Sequence, residues 1–319
     1  MSARSLLSQN TILHVSRPQF LSPLIALLLL VFANALLTRN FAAAANFWNI
    51  LLQVSPTVLV AVGMTFVIAT GGIDLSVGSL MAIASAVTAT NLHHGTVVAM
   101  LMGLGVTLGI GVIDGALIAS LRIQPIIVTL AMLIAGRGLG QVISKEGQLI
   151  PIDTPSFEQL GRGQLGTIPV QVLIAVVVVL AAWIVLRLTI FGRWVLAVGG
   201  NEKVAALSGV NVKTTKIVVY AVSSALAGLA GLIETARLGA SDASKVGLNI
   251  ELDAIAAVVV GGTLLTGGRA TIIGTVLGTL IMQVITTSLN MLLISYAWSL
   301  VLKAAAILIV IYMQRPRSS

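Results

Sequence analysis

The chain has 319 residues, of which 57% are hydrophobic and only 9% charged, and it carries a formal net charge of +8. A water-facing domain carries about 25% charged residues, so composition excludes a soluble globular protein and makes lipid the main solvent. Excess positive charge is what cytoplasmic loops of membrane proteins collect, and it gives no reason to expect a nucleic-acid partner. Cysteine is absent, and His14, His93 and His94 are not spaced as metal ligands. Disulfides, thiolate chemistry and a Cys- or His-based metal site are therefore not expected, nor is a cofactor.

Long unbroken apolar runs, such as residues 173–186, predict helices rather than the alternating ten-residue strands of a membrane barrel. At about 20 apolar residues per crossing, ten spans are expected in an all-α polytopic bundle. They fall at 22–37, 50–70, 75–90, 96–121, 125–144, 168–188, 214–235, 250–265, 270–290 and 294–313. The whole chain, 1–319, then forms one transmembrane domain, with a short N-terminal segment 1–20 and a long loop at 189–213. An even count puts both termini on one side. If that side is the cytoplasm, eleven of the 18 Lys and Arg residues fall inside, among them Arg122, Arg193, Lys203, Lys213, Lys216 and Arg269. Five fall outside, and Arg137 and Lys303 fall within spans. The bias supports both the count and the orientation. The first span runs into Ala33-Asn34-Ala35, a small-x-small site. It reads as a signal anchor, since cleavage would demand an odd number of remaining spans.

In chain order, the first polar feature is Gly71-Gly72-Ile73-Asp74-Leu75-Ser76, a glycine break with Asp74 placed to cap the third span. Asp114 falls late in the fourth span, Arg137 inside the fifth, Glu234 at the end of the seventh and Lys303 near the middle of the tenth. Charges at these depths face the bundle interior. Two readings stand: a polar translocation path touching solute hydroxyls, and structural ion pairs, such as Asp114 with Arg137 or Lys303 with an acid on a neighbouring span. The ion-pair reading is preferred, because a translocation path should not hold its solute tightly. The loops 145–167 and 237–249 fall outside and mix acids with bases, which suits docking of a soluble partner. Glu251 and Asp253 lie at the start of the eighth span, where carboxylates stabilise a first turn. Gly261-Gly262 echoes Gly71-Gly72, and paired glycine-interrupted segments point to a transporter's centre. Chance similarity of glycine-rich stretches explains the echo equally well. No Walker-type run is present, so the chain itself is not expected to hydrolyse ATP.

The loop 189–213 carries the most information. Asn201 suits an N-cap, Glu202 a first turn and Gly209 the C′ position, so about two turns of helix lie between them. Val204 and Leu207 share a face, and Ala205 and Ala206 are small enough for another surface to approach closely. Such a helix fits a partner's groove; the bland reading is a helix lying on the bilayer surface.

The run Gly199-Gly200-Asn201-Glu202-Lys203-Val204-Ala205-Ala206-Leu207-Ser208-Gly209 resembles the coupling-helix motif of bacterial sugar permeases of the ribose/galactose/xylose class. The likeness extends over nearly the whole chain, through Ala69–Gly78, Ile123-Gln124-Pro125 with Gly136-Arg137-Gly138, Glu251-Leu252-Asp253-Ala254, and Gly267-Gly268-Arg269. The galactofuranose-type branch is nearest by the Gly136-Arg137-Gly138 triplet and the Gly239–Gly247 loop. One departure is Ala270, where many relatives carry glycine, which puts the shape of that turn in question. The resemblance implies an inner-membrane permease that works as a dimer with a second copy or a related permease. It also implies a cytoplasmic ATP-binding subunit docked on residues 201–209 and a periplasmic or extracellular sugar-binding protein. The competing reading is a secondary transporter driven by an ion gradient, for which Asp114 is the titratable candidate. An intramembrane enzyme is disfavoured, since no histidine lies within a span.

Overall fold

A computed structural model describes residues 20–314 of the chain. These residues are mostly helical. The α-helices in order are α1 (Leu21–Leu37), α2 (Ala44–Ala69), α3 (Val77–Asn91), α4 (Thr96–Ser120), α5 (Pro125–Ile143), α6 (Pro155–Arg162), α7 (Val170–Leu188), α8 (Ile190–Gly200), α9 (Glu202–Leu207), α10 (Val212–Leu238), α11 (Ile250–Val260), α12 (Ile272–Met291) and α13 (Tyr296–Gln314). Six of them, α2, α4, α5, α7, α10 and α12, are long and apolar enough to cross a membrane. In lipid the helix is the element that satisfies every backbone donor and acceptor internally, which is why apolar sequence of this length folds so.

Two expected spans are shorter than foreseen. The eighth stops at Val260, and residues 261–271 are irregular; the third begins only at Val77. The loop 189–213 contains two helices instead of one. Residues 190–200 form α8, whose N-cap Thr189 accepts a hydrogen bond from the Gly192 amide. The loops at 145–167 and 237–249 also have structure. Residues 145–167 contain β1 (Ile150–Pro151), α6 and β2 (Gln164–Leu165), which pairs with β3 (Ile168–Pro169). The short strand β1 pairs with β4 (Ala240–Ser241), so the two loops are joined antiparallel, Ile150 opposite Ser241.

The 27-residue α10 is the pole of the bundle, with α2, α3 and α4 packed along it. Small residues permit the approach. A Cβ at Gly63 of α2 would sit 2.9 Å from the Ser223 Cα, and one at Gly115 of α4 would sit 2.7 Å from the Ile217 Cα. Lipid gives helices no hydrophobic reason to associate, so such close backbone contact and its dispersion energy hold them together. The core follows from this arrangement: Leu59, Met64, Ile68, Leu80, Met81 and Ile233, from α2, α3 and α10, are buried. The outward faces of α1, α4, α5 and α7 remain apolar and exposed, as lipid-facing surfaces should.

Candidate functional site

The α9 end of the bundle is built by local chemistry. Asn201 has extended backbone, and its Oδ1 accepts from the Val204 amide at 3.1 Å. At the other end Gly209 has φ +85, its amide donates to the Ala206 carbonyl, and the Val210 amide donates to Ala205. This is a Schellman stop with glycine at C′, as the sequence requires. Glu202 does more than favour the helix dipole: it accepts from Lys216 Nζ at 2.7 Å, tying α9 to the first turns of α10. Leu207 is 89% exposed and Val204 56%. Ala206 lines a groove of about 560 Å³ with Arg122, Glu202, Lys203 and Lys213. Ala205 corrects the expectation, since it is buried against its own chain and offers nothing to a partner.

The same geometry explains the paired glycines. Gly71 (φ +80) donates to the Ile68 carbonyl and Gly72 to Val67, which closes α2. Gly262 (φ +90) donates to Val259 and Thr263 to Val258, which closes α11. Both are Schellman stops, one glycine register apart, so the echo between the two segments is that of two helix ends. Gly261 is instead the place where α11 touches α12, because a Cβ there would overlap the Gly274 backbone. At the end of α8 a Cβ on Gly199 would overlap the Ala69 carbonyl oxygen and sit 2.6 Å from the Gly268 amide. That amide donates to Ala69 at 3.0 Å. The ends of α2 and α8 and the turn at 267–268 thus meet backbone to backbone. Ala270, the departure from the family pattern, is buried and does not have positive φ, so the turn does not need glycine there.

Midway along α10, Asp74 is fully buried. It is not the N-cap of α3, a position held by Ser76. Its Oδ1 accepts from the Ser76 amide (3.0 Å) and hydroxyl (2.6 Å), and its Oδ2 from the Ser223 hydroxyl (2.9 Å). Asp74 therefore fastens the break between α2 and α3 to α10. Asp114, 2% exposed, leaves Oδ2 without a hydrogen-bond partner among the described residues, as do the buried Tyr220 Oη and Ser224 Oγ.

Asp114 does not pair with Arg137. The Arg137 guanidinium reaches across from α5 and donates to three backbone carbonyls, Ala243 (3.0 Å), Val246 (2.7 Å) and Gly247 (3.3 Å). Glu234 and Glu251 are the acids in electrostatic reach of it. Arg137 thus holds the loop ahead of α11 against the bundle. The other expected pair forms: Lys303 Nζ donates to both Asp253 oxygens, at 3.0 and 3.1 Å, and joins α13 to α11. Among the described residues no group of three or more His, Cys, Asp or Glu could hold a metal ion.

One polar feature escaped the sequence reading, which weighed charged residues alone. Asn49, Gln53, Gln283 and Thr287 form a hydrogen-bonded row on α2 and α12. Gln283 is the twelfth of 20 residues in an apolar helix, a position where an amide stands out.

A protein-family model described as "Branched-chain amino acid transport system / permease component" matches residues 46–311. The ribose import permease protein RbsC of Escherichia coli (strain K12) is 42% identical over 296 residues, 90% of this chain and 91% of the relative. The chain belongs to this permease family. A second relative of the permease, the ribose import permease protein RbsC of Bacillus subtilis (strain 168), is 40% identical over 304 residues, 94% of each chain. The galactofuranose transporter permease protein YtfT of Escherichia coli (strain K12) is 37% identical over 316 residues, 94% of this chain and 91% of the relative. Identity to the ribose permeases is the higher, so it does not favour the galactofuranose-type branch. No solved structure matches the chain. Members of the family are transport components, and the permease is accordingly not an enzyme.

Proposed function

We propose that the permease provides the membrane pathway of an ATP-driven importer for a monosaccharide. The observation that carries this is full-length similarity to permeases named for ribose, galactofuranose and fructose. The chain supports it with a slender capped helix, α9, that presents Leu207 and Val204 outward. In this reading α9 docks on a cytoplasmic ATP-binding subunit, and the joined outer loops at 150–151 and 240–241 receive a sugar-binding protein. The permease works as a dimer in the bacterial inner membrane, as a single domain of ten spans with both termini cytoplasmic. ATP-driven closure of the partner subunits pushes on Asn201–Gly209, and the helices rock between outward-open and inward-open states. The acids and bases at Asp114, Arg137, Glu234 and Lys303 serve mainly to hold this framework, consistent with the bonds of Arg137 and Lys303.

Affinity purification of the tagged permease from its native membrane is the test. Co-purification of an ATPase and a second permease copy is the expected result. Repeated preparations without an ATPase would sink the reading in favour of an ion-driven transporter centred on Asp114. Leu207→Asp sharpens the experiment, because Leu207 touches little of its own chain. It should leave insertion intact and remove the ATPase from the purified complex. Glu202→Lys is a poorer probe, since it also breaks the pair with Lys216.

A further inference from the structure

We propose that the sugar's path runs along the uncharged row Asn49–Gln53–Gln283–Thr287, with Gln53 and Gln283 the contact points for sugar hydroxyls. The inference rests on the import reading above and supplies the part of it that the charged residues do not. Asn49 Oδ1 accepts from Gln53 Nε2 at 2.9 Å, and Gln53 Oε1 accepts from Gln283 Nε2 at 2.9 Å. Gln283 Nε2 also donates to Thr287 Oγ1 at 3.1 Å. The row spends only part of its capacity: the Asn49 Nδ2 and Gln283 Oε1 atoms make no hydrogen bond among the described residues. Asn49 is exposed, and Gln53 and Gln283 are half-buried.

The packing places the row at the end of the α11–α12 contact. Ala257 of α11 and its C-cap Gly261 lie against Gly278 and Gly274 of α12. That antiparallel register sets Ile250, the first residue of α11, opposite roughly residue 285 at one residue per residue. Beyond that point α11 no longer covers α12: the exposed Asn290 stands past its end, Gln283 lies just inside it, level with Leu252, and Thr287 is buried. An amide with unused donors and acceptors is costly in hydrocarbon. Asn49 is exposed near the start of α2, and Gln53 and Gln283 are only half-buried within apolar helices, so the row marks a surface that meets water or solute. Amides both donate and accept, as sugar hydroxyls do, and they carry no charge to trap an ion or bind tightly. A path needs contacts weak enough to release. Both basic groups within the expected spans are committed elsewhere, Arg137 to three carbonyls and Lys303 to Asp253.

The chain contains no cysteine, so single cysteines report without background. Gln53→Cys and Gln283→Cys are to be treated with methanethiosulfonate ethylsulfonate, a charged reagent that does not cross lipid, in intact cells importing sugar. Leu28→Cys on the exposed apolar face of α1 is the lipid-facing control. Labelling about tenfold faster at both positions than at Leu28 is the expected result for a water-lined path, with uptake blocked by the reagent. Labelling no faster than at Leu28 would overturn the proposal. So would spontaneous disulfide-linked dimers at these positions without labelling, which would make the row a contact between permease copies. Gln283→Leu should lower uptake of radiolabelled monosaccharide, and Gln283→Asn should restore part of it. If the unsubstituted permease supports no monosaccharide uptake, the import reading fails, while the labelling result still decides whether the row is water-lined.

Discussion

In α9 itself the backbone is shaped by a cap and a glycine that act within a few residues. At the α6 end it is shaped by contacts between residues about a hundred positions apart. Asn201 reaches three residues to its partner, and Gly209 closes the helix it follows. Arg137, by contrast, holds a loop 109 positions away, and β1 finds β4 across ninety residues of chain. The first kind of order does not depend on where distant helices lie, so in the proposed mechanism it suits a part that must keep its shape while it is pushed. The second exists only while the helices stay in place, so it suits a part that opens when they move.

The comparison is most open to attack at Gly199. Gly199→Val forces a side chain into the Ala69 carbonyl and the Gly268 amide, where overpacking costs about 1–3 kcal/mol or more. Uptake should be abolished, with the permease depleted from the membrane or separated from its ATPase. Gly200→Ala is the control, as nothing lies within 4 Å of a Cβ there. Similar behaviour of the two variants, measured by membrane level and uptake, would mean that the α9 end is loosely set. Arg137→Met comes next. Hydrogen bonds from charged donors contribute about 1.5–3 kcal/mol each, so the 243–247 loop should loosen and uptake fall by about tenfold. The loop's own readout is protease sensitivity at residues 242–249, which should rise in Arg137→Met and stay unchanged in Leu207→Asp. The smallest effect is expected for Asp253→Asn. Asp253 is partly exposed and an amide still accepts from Lys303, so uptake should change by less than about threefold. A loss as large as that of Arg137→Met would move Asp253 from the scaffold to the path.

What could be read from the sequence follows the same division. The short helix α9 was legible to the residue, because its N-cap, first turn and C′ glycine are all local signals. Helix runs such as 96–120 and 125–143 were legible because about twenty apolar residues leave few alternatives. The role of Asp74 was not, since its acceptor geometry depends on Ser223, 149 positions away. The pairing of Asp114 with Arg137 failed for a related reason: depth along a helix says how far a charge lies in the membrane, but not which way it faces. Ala205 failed on direction too, because one residue of helix turns a side chain by about 100°. The amide row went unseen because hydropathy draws attention to charges, and Gln53 and Gln283 are uncharged.

The meeting of α2, α8 and the 267–268 turn has a mechanical consequence. Most helix contacts pass through side chains, whose rotamers can yield before the backbone behind them moves. Here Gly199 and Gly268 bring main chain against main chain, and the Gly268 amide is bonded to the last residue of α2. A joint without side chains has little backlash. Displacement at the end of α8 meets the end of α2 directly, with no flexible spacer to absorb the first fraction of the stroke.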